Sequence, residues 1–332
     1  EEYVEIDYRL GLVKQGKISF LCGKAELLEK GHFDDVDMAI MIHATNPQDM
    51  DDGTVAVAAS SNGFLAKTVT FRGVAAHAGG APEQGVNALY AAQLALSGIN
   101  SHRETFRDED CVRVHPIVTK GGDLVNVIPS EVRLETYVRA KTAEAIQDAA
   151  SRVDACLKGA AMAMRCRVEI DTVPGNLPLN NDGNLRELFR RNAATIFDED
   201  GYRDYPHGGG STDAGDLSQL MPVLHPVMAG AHGEPHSVDW HIADTDNGYV
   251  SPAKILAMMA VDLLADELDE DVRYELMAEL GDLWDDRDII LRSGSPLEDP
   301  LAEPFVGLPL EDPPEAAASV DFAGVCSAAS CP

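Results

Sequence analysis

Residues 65–79 read LAKTVTFRGVAAHAG and alternate apolar with polar side chains, the period of a half-exposed strand. A helical stretch follows in NALYAAQLALSGINSHRETF (87–106), with Leu89, Ala92, Leu96 and Ile99 on one face. Two more alternating segments come next, CVRVHPIVTKGG (111–122) and VRLETYVRAK (132–141). An amphipathic helix over 142–164 and a last strand in RCRVEIDTVPG (165–175) complete the run. The order is β-α-β-β-α-β, the split βαβ or ferredoxin-like arrangement. It predicts an inserted domain over 64–173.

Outward from that unit the patterning changes. KAELLEKG (24–31) reads as a short helix closed by Gly31. VDMAIMI (36–42) is a continuous apolar run of strand length, as in a parallel sheet buried on both faces, and His43 stands where that strand ends. On the other side, NLRELFRRNAATIF (184–197) is helical, and SPAKILAMMAVDLLADEL (251–268) reads as a helix with Ser251 as N-cap and Pro252 in its first turn. The fold class is α/β: a mixed sheet flanked by helices, formed by 1–63 and 174–268, interrupted by the inserted unit. Residues 269–332 are Pro-, Ala- and acid-rich and read as an acidic, partly disordered tail, with a possible acidic helix over 266–291.

The formal net charge is −30, which disfavours nucleic acid and anionic membrane as partners. From Asp266 onward 18 acidic residues meet three arginines, so half of the net charge belongs to the tail. No apolar run approaches the ~20 residues that span a bilayer. The six cysteines form no CxxC pair, and reduced thiols in a cytoplasmic protein are the simplest reading.

Four stretches carry candidate chemistry. HPVMAGAHGEPHSVDWHIAD (225–244) holds His225, His232, His236 and His241, and loop histidines beside Asp and Glu suit a metal or a general base as well as plain local hydrogen bonding. RGVAAHAGGAPEQGVNAL (72–89) sets His77 among small residues that let a ligand or another chain come close, or it is a hairpin loop with no role. In GGDLVNVIPSEVRLETYVRA (121–140), Asn126 and Arg139 would make a clamp for a carboxylate or an oxyanion, or they are a turn asparagine and a surface arginine. HGGGSTDAGDLS (207–218) could present backbone N–H groups to an anion, though it lacks the GK[ST] of a phosphate loop and could equally be a linker.

The order of these pieces is more specific than any one of them. The pair Glu1–Glu2, a strand ending in His43, an insertion carrying AAHAGxxPxxGxNAL and NVIP…R, then GGxSTDxGD, then PHSxxW, resembles the M20 family of metal-dependent peptidases and amidohydrolases from Glu1 to about Glu267. Histidine at position 43 is similar to the aminoacylase-like branch, with its dipeptidases and aminobenzoyl-glutamate hydrolases. The resemblance implies a zinc-peptidase-like catalytic domain with a lid that dimerises. It implies two divalent ions, usually zinc and sometimes manganese or cobalt, and a small amide or peptide substrate. It makes Glu1 the general base and Glu2, His43 and His236 metal ligands. His77 would polarise the scissile carbonyl from the partner subunit, and Asn126, Arg139, Gly209, Gly210 and Ser211 would bind substrate. Two further ligands are expected upstream of the Glu1–Glu2 pair, so the resemblance implies an N-terminally truncated chain. Competing readings are a non-catalytic remnant that dimerises through its lid, and a salt-adapted acidic binding protein that accounts only for the charge.

Overall fold

The computed structural model describes residues 6–235 and 237–264. Glu1, Glu2, His236 and the acidic tail over 269–332, with its possible helix, lie outside the described residues.

The chain enters through α1 (Ile6–Lys14) and α2 (Gly23–Glu29), then runs along β1 (Ala39–Ile40), β2 (His43–Thr45), β3 (Val55–Ala58) and β4 (Ser60–Ser61). Of the apolar run 36–42, expected as one strand ending at His43, only Ala39–Ile40 is strand, and His43 instead begins the next one, β2. The partner of the run is the cause. Met41 and His43 donate their N–H groups to the carbonyls of Leu224 and Pro226, at 2.9 and 3.0 Å, and Pro226 has no N–H to return. The ladder is therefore one-sided where a continuous strand was expected.

The split-βαβ unit follows as β5 (Gly63–Arg72), α3 (Ala88–Ser101), β6 (Arg113–Val114), β7 (Ile117–Lys120), β8 (Glu131–Ala140), α4 (Ala143–Ala163) and β9 (Arg167–Pro174). Strands β5 and β8 pair antiparallel along their whole length, from Gly63 opposite Ala140 to Arg72 opposite Glu131. β9 flanks β5, and β6 and β7 both flank β8. Pro116 divides what the alternation suggested was one strand into β6 and β7, because it cannot donate to the ladder. Both helices press small faces onto the sheet: Ala88, Ala91, Ala92 and Ala95 from α3, and Ala149, Ala150, Val153 and Leu157 from α4, pack with Val69, Phe71, Val132 and Leu134. Alanine brings the helix axes close, and the β-branched and aromatic strand residues fill the space between. Asn87 caps α3 by accepting from the N–H groups of Leu89 and Tyr90 at 2.9 and 3.2 Å. Lys67, buried in this unit, is paired with Asp154 at 2.8 Å and donates to Thr172 at 3.0 Å.

The chain then returns through β10 (Leu179–Asn180), α5 (Gly183–Ala193), β11 (Tyr202–Tyr205), α6 (Ala214–Leu217), β12 (Val223–Leu224), β13 (Val227–Ala229), β14 (Ala231–His232), β15 (His241–Ile242) and α7 (Ser251–Leu264). A mixed sheet in the order β11-β3-β13-β2 is continued by the parallel pair β1–β12. Its core joins Val55, Val57, Leu224 and Met228 to Leu185 and Phe189 of α5 and to Ile255 and Met259 of α7. Ser251 is not an N-cap: a π-helical turn over Asp246–Val250 runs directly into α7, so Ser251 is already helical and buried. A helix that continues from a preceding turn has no free first-turn donor at that point for a side chain to cap.

The two parts meet where the chain crosses twice. β4 and β10 pair antiparallel, Ser61 opposite Leu179 and Ser60 opposite Asn180. The Phe64 N–H donates to the Asn176 carbonyl at 2.8 Å. The crossing is tight at Gly63, where a Cβ would lie 2.5 Å from the Asn176 oxygen and the Pro178 nitrogen.

Candidate active site

His43 stands at the start of β2, next to the β12–β13 connection. Its Nδ1 lies 2.6 Å from the Ala44 carbonyl oxygen, which can only accept. Nδ1 therefore carries the proton and Nε2 keeps its lone pair, the tautomer that ligating histidines adopt when a carbonyl orients them. His225 lies beside it, ring centroids 6.1 Å apart. The His225 backbone N–H is held by Asn181 Oδ1 at 2.7 Å. Its own Nε2 is buried and has no hydrogen-bond partner among the described residues. Burial, reinforced by His43 and Lys24, pushes the His225 imidazole down to about 4, so it is neutral near pH 7.

The histidine-rich stretch forms a small hairpin. β14 pairs with β15, His232 opposite His241, with their rings edge to face at 5.6 Å. Asn46, just past β2, donates to the Gly233 carbonyl at 2.9 Å and ties this hairpin to the His43 strand. Among the described residues no group of three or more His, Cys, Asp or Glu forms a metal cluster. Of the three ligands drawn from the resemblance, only His43 is described, and its free Nε2 lone pair fits a divalent ion.

The glycine-rich stretch 207–218 lies against both crossing strands. Gly208 bridges to Ser61, its N–H donating to the Ser60 carbonyl at 2.8 Å, and it accepts the Asn62 N–H at 3.1 Å. A Cβ at Gly209 or Gly210 would meet open space, so the backbone there is accessible to a ligand. Ser211 accepts a hydrogen bond from Arg139 at 2.8 Å, across 72 residues of sequence. The Arg139 guanidinium also lies over the rings of Phe64 and Tyr137, at 5.2 and 5.3 Å. Asp213 holds Lys24 in an ion pair and accepts the Lys24 N–H at 3.2 Å. Asp216 of α6 is buried and accepts from the Leu177 N–H at 2.9 Å and from Asn176 Nδ2 at 3.2 Å. Burial pushes its carboxyl up to about 7. Only glycine fits at 215, where a Cβ would lie 2.0 Å from the Leu177 oxygen.

His77 and Asn126 lie together elsewhere, on the split-βαβ unit. His77 bridges to Val127, and the Ala78 N–H donates to the Asn126 carbonyl at 2.9 Å. His77 Nδ1 accepts the N–H groups of Gly79 and Gly80, at 3.2 and 2.8 Å. Nε2 of the neutral ring therefore carries the proton and points a donor outward from an exposed side chain. The structure thus brings Arg139 to Ser211 and His77 to Asn126. Among the described residues no hydrogen bond joins the second pair to His43 or to Ser211. Sequence reading passed over His207 and Asp216, and noted His225 only as one of several loop histidines.

Residues 60–164 match the M20 peptidase dimerisation domain. Along 269 residues the chain is 30% identical to the Xaa-Arg dipeptidase of Mus musculus, covering 78% of this chain and 60% of that protein. Over residues 60–164 the chain carries an M20-type dimerisation domain. A second relative is a p-aminobenzoyl-glutamate hydrolase homolog of Haemophilus influenzae, 30% identical over 173 residues, 50% of this chain and 39% of that one. The fold matches the crystal structure of an aminobenzoyl-glutamate utilization protein from Klebsiella pneumoniae with a TM-score of 0.54 and 22% identity, covering 71% of this chain and 57% of that chain. The chain spans 60% of the length of the mouse dipeptidase and less of the bacterial hydrolase. No helix among the described residues is long and apolar enough to cross a membrane.

Proposed function

We propose that the protein hydrolyses an amide bond in a small substrate: a dipeptide, an N-acyl amino acid or an aminobenzoyl-glutamate. His43, Glu2 and His236 would hold divalent ions, two zinc or, in their place, manganese or cobalt. Such ions lower the pKa of water toward neutrality and polarise a carbonyl. Glu1 would take the proton of the attacking water and pass it to the leaving amine. His77, contributed by the lid of a second copy in a homodimer, would donate from Nε2 to the carbonyl oxygen as negative charge develops there. Asn126 and the N–H groups of Gly209 and Gly210 would add donors. Arg139 would bind the substrate carboxylate in a fork of two hydrogen bonds.

What carries this reading is the meeting of Arg139 with Ser211. A guanidinium from one part of the chain is held by aromatic faces at the open glycine loop of the other, where an anionic end of a small amide could replace the serine hydroxyl. The tautomers of His43 and His77 support it, one leaving a ligand lone pair and the other a proton donor. Cleavage of Xaa-Arg dipeptides and of aminobenzoyl-glutamate, the reactions in the relatives' names, are the first activities to assay.

The test is amide hydrolysis and metal content of the whole protein. Glu1→Gln is expected to keep metal and lose turnover by ~10²–10⁴-fold, the usual contribution of a general base. His236→Ala is expected to lose metal. Unchanged turnover in Glu1→Gln overturns the assignment of the base, and a metal-free wild-type protein with full activity overturns the metal-dependent mechanism.

A further inference from the structure

His207 sits at the head of the glycine loop and is used by none of the roles above. Its ring lies between two side chains of the first crossing strand: Nδ1 is 2.9 Å from Ser60 Oγ, and Nε2 is 3.0 Å from Asn62 Oδ1. The proton positions follow from the third partner. Asn62 Nδ2 donates to the Cys111 carbonyl at 3.2 Å, which turns Oδ1 toward the histidine. An amide oxygen only accepts, so Nε2 carries the hydrogen, and Nδ1 of the neutral ring accepts from the Ser60 hydroxyl. Burial, with Lys141 and Arg113 nearby, holds His207 below the usual histidine range and favours this neutral form. Asn62 is 1% exposed, so nothing in water can replace the bond to its oxygen.

The same segment grips the second crossing strand further along. Besides the Asp216 bonds to Asn176 and Leu177, Ser218 Oγ accepts the Asn180 N–H at 3.1 Å and Gln219 Nε2 donates to the Pro178 carbonyl at 2.7 Å. Residues 207–219 are thus fastened to one crossing strand at His207 and to the other at Asp216–Gln219. Gly209, Gly210 and Ser211 are strung between the two fastenings, and Arg139 reaches the middle of the span. Cys111, at the far end of the Asn62 bond, precedes β6 of the split-βαβ unit.

We propose that His207 is a positioning residue that latches the glycine loop to the crossing strand, so that the loop and the split-βαβ unit hold one relative setting. The role rests on the proposed amidohydrolase reading only for its effect on turnover; the latch itself is read from the side-chain hydrogen bonds of His207. Two isosteric halves of the ring separate its bonds. His207→Asn keeps an acceptor near the place of Nδ1 for Ser60, and His207→Gln keeps a donor near the place of Nε2 for Asn62.

The experiment is amide hydrogen exchange and steady-state hydrolysis on the whole protein, comparing wild type with His207→Ala, His207→Asn and His207→Gln. In His207→Ala, exchange at the Asn62 and Gly208 amides is expected to speed at least tenfold, while amides of α3 and α4 exchange at the wild-type rate. KM is expected to rise about tenfold with kcat within about threefold, because the loop is displaced as a substrate-binding element while the groups that do the chemistry stay in place. Gln, which keeps the bond to buried Asn62, is expected to restore most of both, and Asn less. If Ala fails to fold, the Gln and Asn proteins carry the comparison, and equal exchange and equal KM in those two overturn the latch. Unchanged exchange at Asn62 and Gly208 in His207→Ala overturns it whatever KM does. Fast exchange in a protein with no amidohydrolase activity in the wild type leaves the latch standing and rejects the proposed reaction instead.

Discussion

The split-βαβ unit and the mixed-sheet part are built on opposite plans. In the first, β5 faces β8 over ten residue pairs, and two helices of 14 and 21 residues cover the sheet. In the second, no strand among the described residues exceeds four residues, and the sheet joins segments far apart in sequence. Long antiparallel strands carry their pairing in their own alternation. Short strands buried on both faces take their register from whatever they pack against. The first plan suits a body that can hold its shape with few outside contacts. The second suits a surface where many separate chain segments converge, and there His43 and His225 come together.

Core truncation tests that contrast most severely. Phe71 in the split-βαβ unit and Phe189 in the mixed-sheet part are both fully buried. Each Phe→Ala change is expected to cost about 3–5 kcal/mol. If the two bodies are distinct, calorimetry shows Phe71→Ala lowering one transition and Phe189→Ala another. A single transition lowered equally by both changes would make them one cooperative unit and dissolve the contrast.

A second test is acid–base. Asp216 lies at the junction, with its carboxyl raised from 3.8 to about 7 by burial. A carboxyl with a folded pKa above its unfolded value favours the folded state while it is protonated. Its contribution is present in full below pH about 4 and is lost as pH rises through about 7. At 1.4 kcal/mol per unit the swing is up to about 4 kcal/mol. Urea unfolding between pH 4 and 7.5 is expected to show this downward contribution in the wild type, and Asp216→Asn is expected to remove it. Parallel pH profiles for the two proteins would mean that Asp216 does not titrate in this range.

The same contrast explains what the sequence disclosed. The long elements were legible because alternation over 65–72 and 132–140 and helical spacing over 88–101 are local signals. The break at Pro116 was visible in the letters but not weighed, and the break in 36–42 was not visible at all, since its cause is Pro226 on the partner strand. His43 was singled out because it follows an apolar run, Arg139 as a clamp partner for Asn126, and Ser211 through the resemblance. His207 escaped because its partners, Ser60 and Asn62, lie 147 and 145 residues away and no local pattern reports them. His225 was one histidine among four until burial set it apart.

Lys67 sharpens the comparison from inside the unit that otherwise looks simplest. Its side chain is 2% exposed and paired with Asp154, which is 29% exposed. Removing the carboxylate in Asp154→Ala leaves a buried cation whose remaining partner among the described residues is Thr172, and is expected to cost about 3 kcal/mol. Lys67→Met removes the charge and fills the space, and is expected to fall within about 1 kcal/mol of wild type, since an apolar side chain of similar volume often replaces a buried pair without loss. Equal losses in the two variants, measured by urea unfolding, would show that the pair itself stabilises the unit, and the unit would then depend on a specific polar contact as well as on its alternation.

The smallest expected effect compares how each part starts a helix. Asn87 caps α3 with two hydrogen bonds, and Asp182 caps α5 with one, accepting from the Leu185 N–H at 2.7 Å. Each change to Ala is expected to cost about 1 kcal/mol. The consequences should differ in reach. α3 lies on a sheet of long, mutually paired strands, so fraying its first turn leaves the sheet's register to the strands themselves. α5 packs Leu185 and Phe189 against β3 and β12, strands of four and two residues whose own ladders are short. Hydrogen exchange in Asn87→Ala is therefore expected to speed only within α3. In Asp182→Ala it is expected to speed in α5 and also at the amides of 55–58. Exchange confined to α5 would mean that the short strands hold their register without the helix, and the contrast between the two plans would then be one of strand length alone.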